Sequence, residues 1–340
     1  MTKVNIFYNT LIEKGICTFK TEFMENVRNK TTKNSAFIMQ AIAEWPTWLA
    51  LLGCYTSWVL LGYLFYPAHP LLALVCMAVT VAFHSSLQHE AIHGHPTPST
   101  LCNEVLVGLP LGLAYPYRRY RTSHLQHHHD DALTDPHQDP ESYYWDRASW
   151  VHLGFFWRFL LTLNNTVLGR LLLGPLVGSI RFFWQDLALI RAGNRTVRRA
   201  WVIHALSILL VAAIVTYVFH IPFWLYAIGP AYAGNALIAL RSYCEHRWHE
   251  APDGRTIIVE KSFLSFLFLY NNLHVVHHAL PGEPWFRMPS LYKQNREQWQ
   301  IQNRGYVYRG YHKIIWQYLL RSKEPLLHPA YSPQPAREQS

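Results

Sequence analysis

Four long segments without charged side chains limit the fold of this chain more than any other feature. They are residues 47–66, 70–87, 201–219 and 222–240, each 18 to 20 residues long. A helix needs about 20 mostly apolar residues to cross the hydrocarbon core of a bilayer. We therefore predict an all-α integral membrane protein with four transmembrane helices.

Short proline-bearing connections at residues 66–70 and 219–222 join the predicted spans in pairs. Such turn signals give two helical hairpins, so the long polar segments lie on one side of the membrane. All 30 Lys and Arg residues lie in residues 1–45, 88–200 and 241–340. Because basic loops near spans stay in the cytoplasm, we expect a multi-pass protein of the bacterial inner membrane with cytoplasmic termini.

The formal net charge of +9 does not indicate a nucleic-acid partner. The basic residues flank the predicted spans and form no stripe with interleaved aromatic residues, so anionic lipid headgroups explain the charge more simply. The five cysteines are scattered and include no C-x-x-C pair. The sequence therefore predicts neither a disulfide framework nor a cysteine metal site.

We divide the chain into a cytoplasmic N-terminal segment, residues 1–44, a membrane domain, residues 45–285, and a cytoplasmic C-terminal segment, residues 286–340. Residues 101–115 are apolar but short and broken by a glycine and a proline, which favours an interfacial or re-entrant segment. Residues 150–190 are rich in Trp, Phe and Leu but carry charges along their length. They suit either interfacial amphipathic helices or a packed cytoplasmic cap.

Three histidine clusters lie near the cytoplasmic ends of the predicted spans. HEAIH has the spacing H-x-x-x-H, and both HLQHH and HVVHH have the spacing H-x-x-H-H. Residues three or four apart share one face of a helix, so each cluster can direct its imidazoles to one point. The topology lets all three clusters meet at one cytoplasmic site. Their eight histidines are His89, His93, His124, His127, His128, His274, His277 and His278.

Eight imidazoles are too many for one zinc ion, which takes about four ligands. They suit two metal ions of higher coordination number that share the site with water or oxygen. Imidazole binds iron, copper, nickel and zinc, so the ligand type does not identify the metal. The sequence by itself predicts a cytoplasmic cap with two metals.

Two other classes of protein compete with this interpretation. HEAIH alone fits a zinc peptidase, but the metzincin extension needs glycine and histidine where Pro96 and Ser99 stand. A third ligand such as Glu104 would still leave both H-x-x-H-H clusters unexplained. A metal transporter should place its ligands near the membrane midplane, whereas only His84 and His204 lie within the predicted spans.

The three clusters resemble the histidine boxes of the membrane fatty acid desaturase and hydroxylase superfamily. HEAIHGH follows a membrane hairpin, HLQHH lies in the next loop, and NNLHVVHH follows the second hairpin, so the resemblance covers residues 45 to about 285. It implies two iron ions (Fe2+/Fe3+) held almost wholly by histidine, O2 as co-substrate, and hydrogen abstraction from an unactivated C–H bond. It implies no catalytic residues beyond the metal ligands.

The resemblance also suggests residues around the boxes. The segment RSYCEHR resembles a family element that supplies a further ligand, which makes His246 the ninth candidate. Asn272 could hold a water at the metals or could cap the backbone. Asp130 and Asp131 could accept a ligand histidine's N–H, or belong to a solvated loop. Glu90 becomes a partner of a ligand histidine or an acid at a helix end.

Similar box patterns occur in enzymes that desaturate, hydroxylate or oxidise carotenoid rings. We favour a desaturase that introduces a C=C bond into a fatty-acyl or lipid chain, supplied as a membrane lipid or linked to an acyl carrier. Hydroxylation or ketolation of a carotenoid or lipid, and desaturation of a smaller amphiphile, stay open. No fused redox domain is evident, so we expect a separate electron donor of the ferredoxin or cytochrome type.

Overall fold

The structure is a computed structural model that describes residues 39–128 and 132–331. The candidate residues Asp130 and Asp131, and most of the predicted N-terminal segment, lie outside the described residues. Nearly all of the described elements are helices. In chain order the helices are α1 (Trp45–Leu60), α2 (Pro70–Ile92), α3 (Thr100–Val107), α4 (Tyr117–His127), α5 (Arg147–His152), α6 (Phe155–Asn164), α7 (Val167–Arg191), α8 (Arg195–Ala213), α9 (Phe223–Tyr226), α10 (Tyr232–Glu245), α11 (His274–Ala279), α12 (Met288–Gln294), α13 (Arg296–Gln302) and α14 (Tyr311–Tyr318).

Shorter elements complete the fold. Three π-helical turns extend or join the long helices, and they are Leu61–Phe65, Ile214–Val218 and Ala227–Ala231. Three 3-10 turns lie at Pro252–Arg255, Trp285–Arg287 and Pro329–Tyr331. Two short strands, β1 (Ile258–Val259) and β2 (Val307–Tyr308), pair in parallel with Ile258 opposite Val307.

Five helices in the described part of the chain are long and apolar enough to cross a membrane. They are Trp45–Phe65, Pro70–Ile92, Val167–Arg191, Arg195–Val218 and Phe223–Glu245. Four of them coincide with the four predicted spans to within a few residues at each end, and the predicted helical membrane protein is confirmed at this level. The fifth, α7, falls in the region that the sequence left open between interfacial helices and a cap. The number of spans therefore stays a prediction.

Charged residues on α7 show why its sequence did not look like a span. Arg119 makes a two-pronged ion pair with Asp186, with Nε to Oδ2 at 2.9 Å and Nη2 to Oδ1 at 2.8 Å. The indole nitrogen of Trp201 donates to the same carboxylate at 2.8 Å. A carboxylate with this many donors can be buried in an apolar helix at a much lower cost than an unpaired one. An ion pair between α4 and α7 thus lets a candidate span carry Asp186. A count of charged residues along the sequence would have taken that residue as evidence against a span.

The helices α2 and α10 pack closely at the centre of the molecule. A Cβ at Gly234 would lie only 2.5 Å from Cγ1 of Val81, so glycine is required for this close approach. The buried core beside this contact includes Trp58, Met77 and Phe219. Packing therefore fills the space beside Gly234.

Residues 101–115 fold back into the bundle instead of crossing it. α3 is only eight residues long, and the chain after it places Leu111 in the core. The hydroxyl of Tyr226 donates to the Leu111 carbonyl at 2.8 Å, and Asn235 Nδ2 donates to the Gly112 carbonyl at 2.7 Å. These carbonyls have no partner within a helix, so side-chain donors supply their hydrogen bonds. A non-helical segment buried in a helical bundle needs such donors.

The short helix α6 exposes large aromatic side chains. Phe155, Phe156 and Trp157 are exposed on it. An exposed aromatic face beside candidate spans suits a helix that lies in the membrane interface.

The C-terminal segment packs against the membrane domain. β2 pairs with β1, and Tyr311 and Ile314 of α14 are buried beside Leu240 and Tyr243 of α10. Further along, the ammonium group of Lys323 donates to the carbonyl of His246. This segment thus closes one side of the histidine-rich region.

Candidate metal centre

The first histidine cluster lies where α2 ends. His89 is in the last turn, His93 is the first residue beyond the helix, and Gly94 adopts a φ of +96°. Glycine accepts this left-handed conformation readily, so it ends the helix and turns the chain away behind His93. The helix end fixes the positions of both imidazoles.

The other two clusters come from shorter helices that meet this end. HLQH forms the last turn of α4 and His128 follows it, and HVVHH forms most of α11, which is only six residues long. His246 follows the last residue of α10 in an extended conformation. All nine predicted ligands are thus brought to one region by the ends of four helices.

Eight of the nine histidines form two groups of four. In each group the four nitrogen atoms that could bind a metal lie within 4.8 Å of one another. The first histidine group consists of His89, His93, His124 and His277. The second histidine group consists of His127, His246, His274 and His278. Each group takes residues from more than one cluster, so neither can form from one local sequence.

His128 lies between the two groups. Its Nε2 atom is 3.1 Å from Nε2 of His124 and 3.1 Å from Nε2 of His277, both in the first group. Its ring stacks on His278 of the second group, with ring centroids 4.3 Å apart. Of the nine predicted ligands, His128 alone belongs to neither group of four, but it contacts both.

Nitrogen atoms that face one another in the second group show that it suits a cation. Nε2 of His246 is 2.9 Å from Nε2 of His127 and 3.0 Å from Nε2 of His274. The outer partners of neutral His127 and His274 hold their protons on Nδ1, so both Nε2 atoms present lone pairs and one proton on His246 Nε2 can satisfy only one of these contacts. Metal–nitrogen bonds of about 2.1 Å place ligands at right angles about 3 Å apart, as observed here. In the first group, His89 Nε2 is buried and has no hydrogen-bond partner among the described residues.

Outer partners orient three of the imidazoles. Nδ1 of His127 lies 2.8 Å from Asp139 Oδ1, and Nδ1 of His124 lies 3.0 Å from Glu141 Oε1. A carboxylate accepts only, so each Nδ1 carries a proton, and each Nε2 presents its lone pair when the imidazole is neutral. Sequence reasoning placed this role on Asp130 and Asp131. The described partners, Asp139 and Glu141, come from later in the same acidic segment, residues 130–141. The acidic composition of this segment was the sequence signal for partners of the ligand histidines.

A buried relay supports His274. Its Nδ1 lies 3.1 Å from Oδ1 of Asn271, whose amide donates to Glu245 at 2.5 Å. Glu245 in turn lies 2.9 Å from Nε of Arg241. Sequence reasoning missed Asn271 and selected Asn272, one residue later. The only signal for Asn271 was its spacing of three residues from His274.

The remaining predicted site residues contact other groups. Asn272 donates to the carbonyl of Val259 at 2.6 Å, which is the backbone role that the sequence left open for it. Glu90 accepts from the backbone N–H of Trp285 at 3.1 Å. His95, which adjoins the first cluster, pairs with Glu44 at 2.6 Å instead of joining either group.

Burial keeps most of these imidazoles neutral. It lowers the pKa of His93, His246, His274 and His277 well below the usual value, and neighbouring histidines lower it further. Neutral imidazole is the form that binds metals. His127 is different: burial opposes its charged form, but the carboxylates of Glu141 and Asp139 outweigh burial and raise its pKa to about 9.

A cavity of about 700 Å³ leads to the second group. It lies between α4, α7 and α10, and His246 and Glu245 form part of its wall. Apolar residues such as Leu113 and Ile238 line it together with the polar side chains of Tyr143 and Arg170. Its volume lies within the usual range for a small-molecule site of about 300–1,000 Å³.

The fold and the site together define a helical integral membrane protein with a histidine-rich centre suited to metal ions. The chain belongs to the fatty acid desaturase family, because the sequence model of that family matches residues 62–310. This match confirms the resemblance drawn from the three histidine boxes and places the protein among oxidoreductases of the desaturase and hydroxylase type. A search of curated proteins found no match.

Proposed function

We propose that the protein is an O2-dependent di-iron desaturase that introduces a C=C bond into a fatty-acyl or lipid chain. The observation that carries the proposal is the pair of four-histidine groups, the second of which borders a cavity, in a chain of the desaturase family. The first histidine group would hold one iron and the second histidine group the other, with His128 between them. Bound iron would supply the activation of O2 and the removal of hydrogen from an unactivated C–H bond.

The chain's own residues prepare the centre for this chemistry. Asp139, Glu141 and Asn271 hold the Nδ1 atoms of three histidines, which fixes the tautomer and the ring orientation. Neutral imidazoles leave a bound pair of metals more positive than carboxylate ligands would. The cavity positions the substrate and limits access of water to the reacting carbon.

Hydroxylation or ketolation of a carotenoid or lipid is the alternative within the same family. Both outcomes begin with loss of hydrogen from a C–H bond, and they differ in whether a second hydrogen leaves or oxygen is added. The histidine geometry serves both outcomes, so the choice rests on identifying the product.

The position of Glu90 argues against a zinc peptidase. In such an enzyme the glutamate of H-E-x-x-H activates a water beside the metal. Here the Glu90 carboxylate accepts the N–H of Trp285 and lies near His95. The peptidase interpretation also uses only His89 and His93 and leaves the second histidine group without a role.

The orientation and the electron source are parts of the same proposal. Both termini and the centre would face the cytoplasm of a bacterial inner membrane, as the distribution of Lys and Arg suggests. A separate ferredoxin or cytochrome would deliver electrons there. Arg118 and Arg119 pair with Glu104 and Asp186, so we do not assign the contact with the electron donor to them.

Metal analysis tests the di-iron proposal. We expect about two irons per chain in purified protein, and loss of iron when His124, His127 or His277 is replaced by alanine. Stoichiometric zinc with full activity in iron-free preparations would contradict it. Mass spectrometry of lipids and polar metabolites from cells with and without the gene then identifies the reaction. Loss of two hydrogens indicates desaturation, and gain of oxygen indicates hydroxylation.

A further inference from the structure

Arg170 is the charged group of the cavity that the proposed chemistry does not use. It lies in the first turns of α7 and lines the cavity together with Tyr143 and His246. Its Nε atom is buried without a hydrogen-bond partner among the described residues. The guanidinium carbon lies 6.0 Å from the ring centroid of Tyr143 and 5.5 Å from that of Tyr243. The ring contacts of this cation are thus with two tyrosines, and its Nε has no acceptor in the described part of the chain.

The other arginines that line the cavity have stronger partners. Arg119 pairs with Asp186, and Arg241 pairs with Glu245. Arg181 donates to the carbonyl of Ser142 at 2.8 Å. Within residues 39–128 and 132–331, Arg170 pairs with no carboxylate.

The carboxylates of the cavity wall are also engaged. Asp139 and Glu141 contact ligand histidines, and Asp146 caps α5 by accepting the N–H of Ser149. Asp186 and Glu245 are the arginine partners already described. These acids have partners within the protein, and Arg170 is the cavity arginine for which the described residues provide neither an ion pair nor a hydrogen bond.

Two further features favour an anion beside Arg170. A second cation, Lys323, lies 5.7 Å from the same Tyr143 ring and 5.5 Å from the Tyr243 ring, although it already donates to the carbonyl of His246. In addition, α7 begins at Val167, so its first turns lie at the positive end of the helix dipole, where an anion is stabilised and a lone cation is not. Tyr143, which contacts Arg170 through its ring, donates to the carbonyl of His246 at 3.3 Å. The side chain of Tyr143 alone thus lies between Arg170 and His246 of the second histidine group.

We propose that Arg170 binds a free carboxylate of the substrate, so that the enzyme acts on an unesterified amphiphilic acid. A guanidinium fork matches a carboxylate with two parallel hydrogen bonds, and one cation matches its single charge. A thioester or a glycerolipid ester presents no such carboxylate. This inference rests on the proposed function and narrows its substrate from fatty-acyl chains in general to free acids that fit a cavity of about 700 Å³.

Equilibrium binding to metal-loaded protein in a neutral detergent tests the assignment without turnover. The ligands are octanoate, octanamide, methyl octanoate and inorganic phosphate, each measured by calorimetry at pH 7.5 under anaerobic conditions. We expect octanoate to bind about 10- to 100-fold more tightly than the amide or the ester, the range expected for hydrogen bonds to a charged group. Equal binding of acid, amide and ester would overturn the proposal. Phosphate that binds better than octanoate would overturn it in favour of a phosphorylated headgroup.

Variants locate the effect at Arg170. In Arg170→Gln the preference for octanoate over octanamide should shrink to within about threefold, while Arg170→Lys should keep part of it because the charge stays but the fork is lost. Arg158→Gln is the matched control, since Arg158 also lies over an aromatic ring, at 5.9 Å from Trp150, but does not line the cavity. A preference that survives Arg170→Gln would place the acid on the metals and contradict the assignment. If Arg170→Gln does not fold, Arg170→Lys carries the test, and an octanoate preference that Arg170→Lys leaves unchanged would contradict the assignment.

The two proposals fail separately. Loss of the acid preference, with iron content and O2-dependent oxidation intact, would remove Arg170 as the carboxylate site and leave the desaturase proposal standing. A normal acid preference in protein that binds no iron would support Arg170 as the carboxylate site and contradict the di-iron proposal.

Discussion

The two histidine groups differ in what holds them. In the second group, His127 and His274 have buried outer partners in Asp139 and Asn271. In the first group, the described outer partner is Glu141, whose side chain is 32% exposed. His89 and His93 owe their positions mainly to the end of α2. Since outer partners fix ring orientation and raise ligand basicity, we expect the second group to bind its metal more tightly.

The difference also concerns access. The cavity reaches His246 of the second group, and Lys323 of the C-terminal segment donates to the carbonyl of that residue. The C-terminal segment thus contributes to one metal position and not, by any contact described above, to the other. The second group combines firmer support with closer contact to the cavity.

Removal of one ligand from each group should have the largest effect and tests the predicted difference in metal binding most directly. His93→Ala and His274→Ala should both reduce activity by more than the factor of about 10–100 expected for loss of an outer partner. Iron content should separate them: His93→Ala should keep about one iron per chain, and His274→Ala should keep less. His152→Ala, on the exposed surface of α5, is the control. Equal iron loss in both variants would show that the groups do not bind independently.

Substitution of the outer carboxylates should have the next largest effect. Asp139→Asn should lower iron affinity or activity by about 10–100-fold, because the amide removes the charge that orients His127. Glu141→Gln should cost less, since solvent reaches Glu141 and screens its interaction with His124. Iron titration by competition with a chelator measures both variants. A larger loss in Glu141→Gln would reverse the predicted order of the two groups.

The adjacent asparagines provide a sharper test within one dipeptide. Asn271→Ala should lower iron affinity and activity because His274 loses its partner and Glu245 loses a donor. Asn272→Ala should lower the free energy of unfolding by about 1–3 kcal/mol, because it leaves the Val259 carbonyl without the donor that Asn272 supplies. Iron content should stay near normal in this variant. Metal analysis and melting curves for the two variants separate these effects. If iron is lost only in Asn272→Ala, the sequence-based choice of Asn272 was better than the contacts indicate.

Glu90→Gln should give the smallest change of this series. The amide oxygen can still accept from Trp285, and no contact of Glu90 described above reaches a ligand histidine. Iron content and O2-dependent oxidation should stay within about threefold of the unmodified protein. Abolished activity with normal metal content would revive a role for Glu90 as a base.

Several parts of the molecule were predictable because their signals are local. The uncharged segments predict spans since a bilayer requires a set length of apolar residues. The spacing of HLQHH and HVVHH predicts convergent imidazoles since a helix repeats every three to four residues. The acidic run after HLQHH signalled outer partners in general, but not which carboxylate reaches His127. That choice depends on how the loop turns before Asp139.

The sequence by itself determined the class of this protein: a helical membrane protein of the desaturase type, with nine histidines able to bind metal. Only the tertiary structure decided how eight of them divide into two groups, with His128 between them. It also decided which arginine in the cavity lacks a hydrogen-bond or ion-pair partner among the described residues. The physical reason is that periodicity and hydropathy act along a helix, whereas the pairing of an imidazole or a guanidinium depends on distant residues that packing brings within about 3 Å.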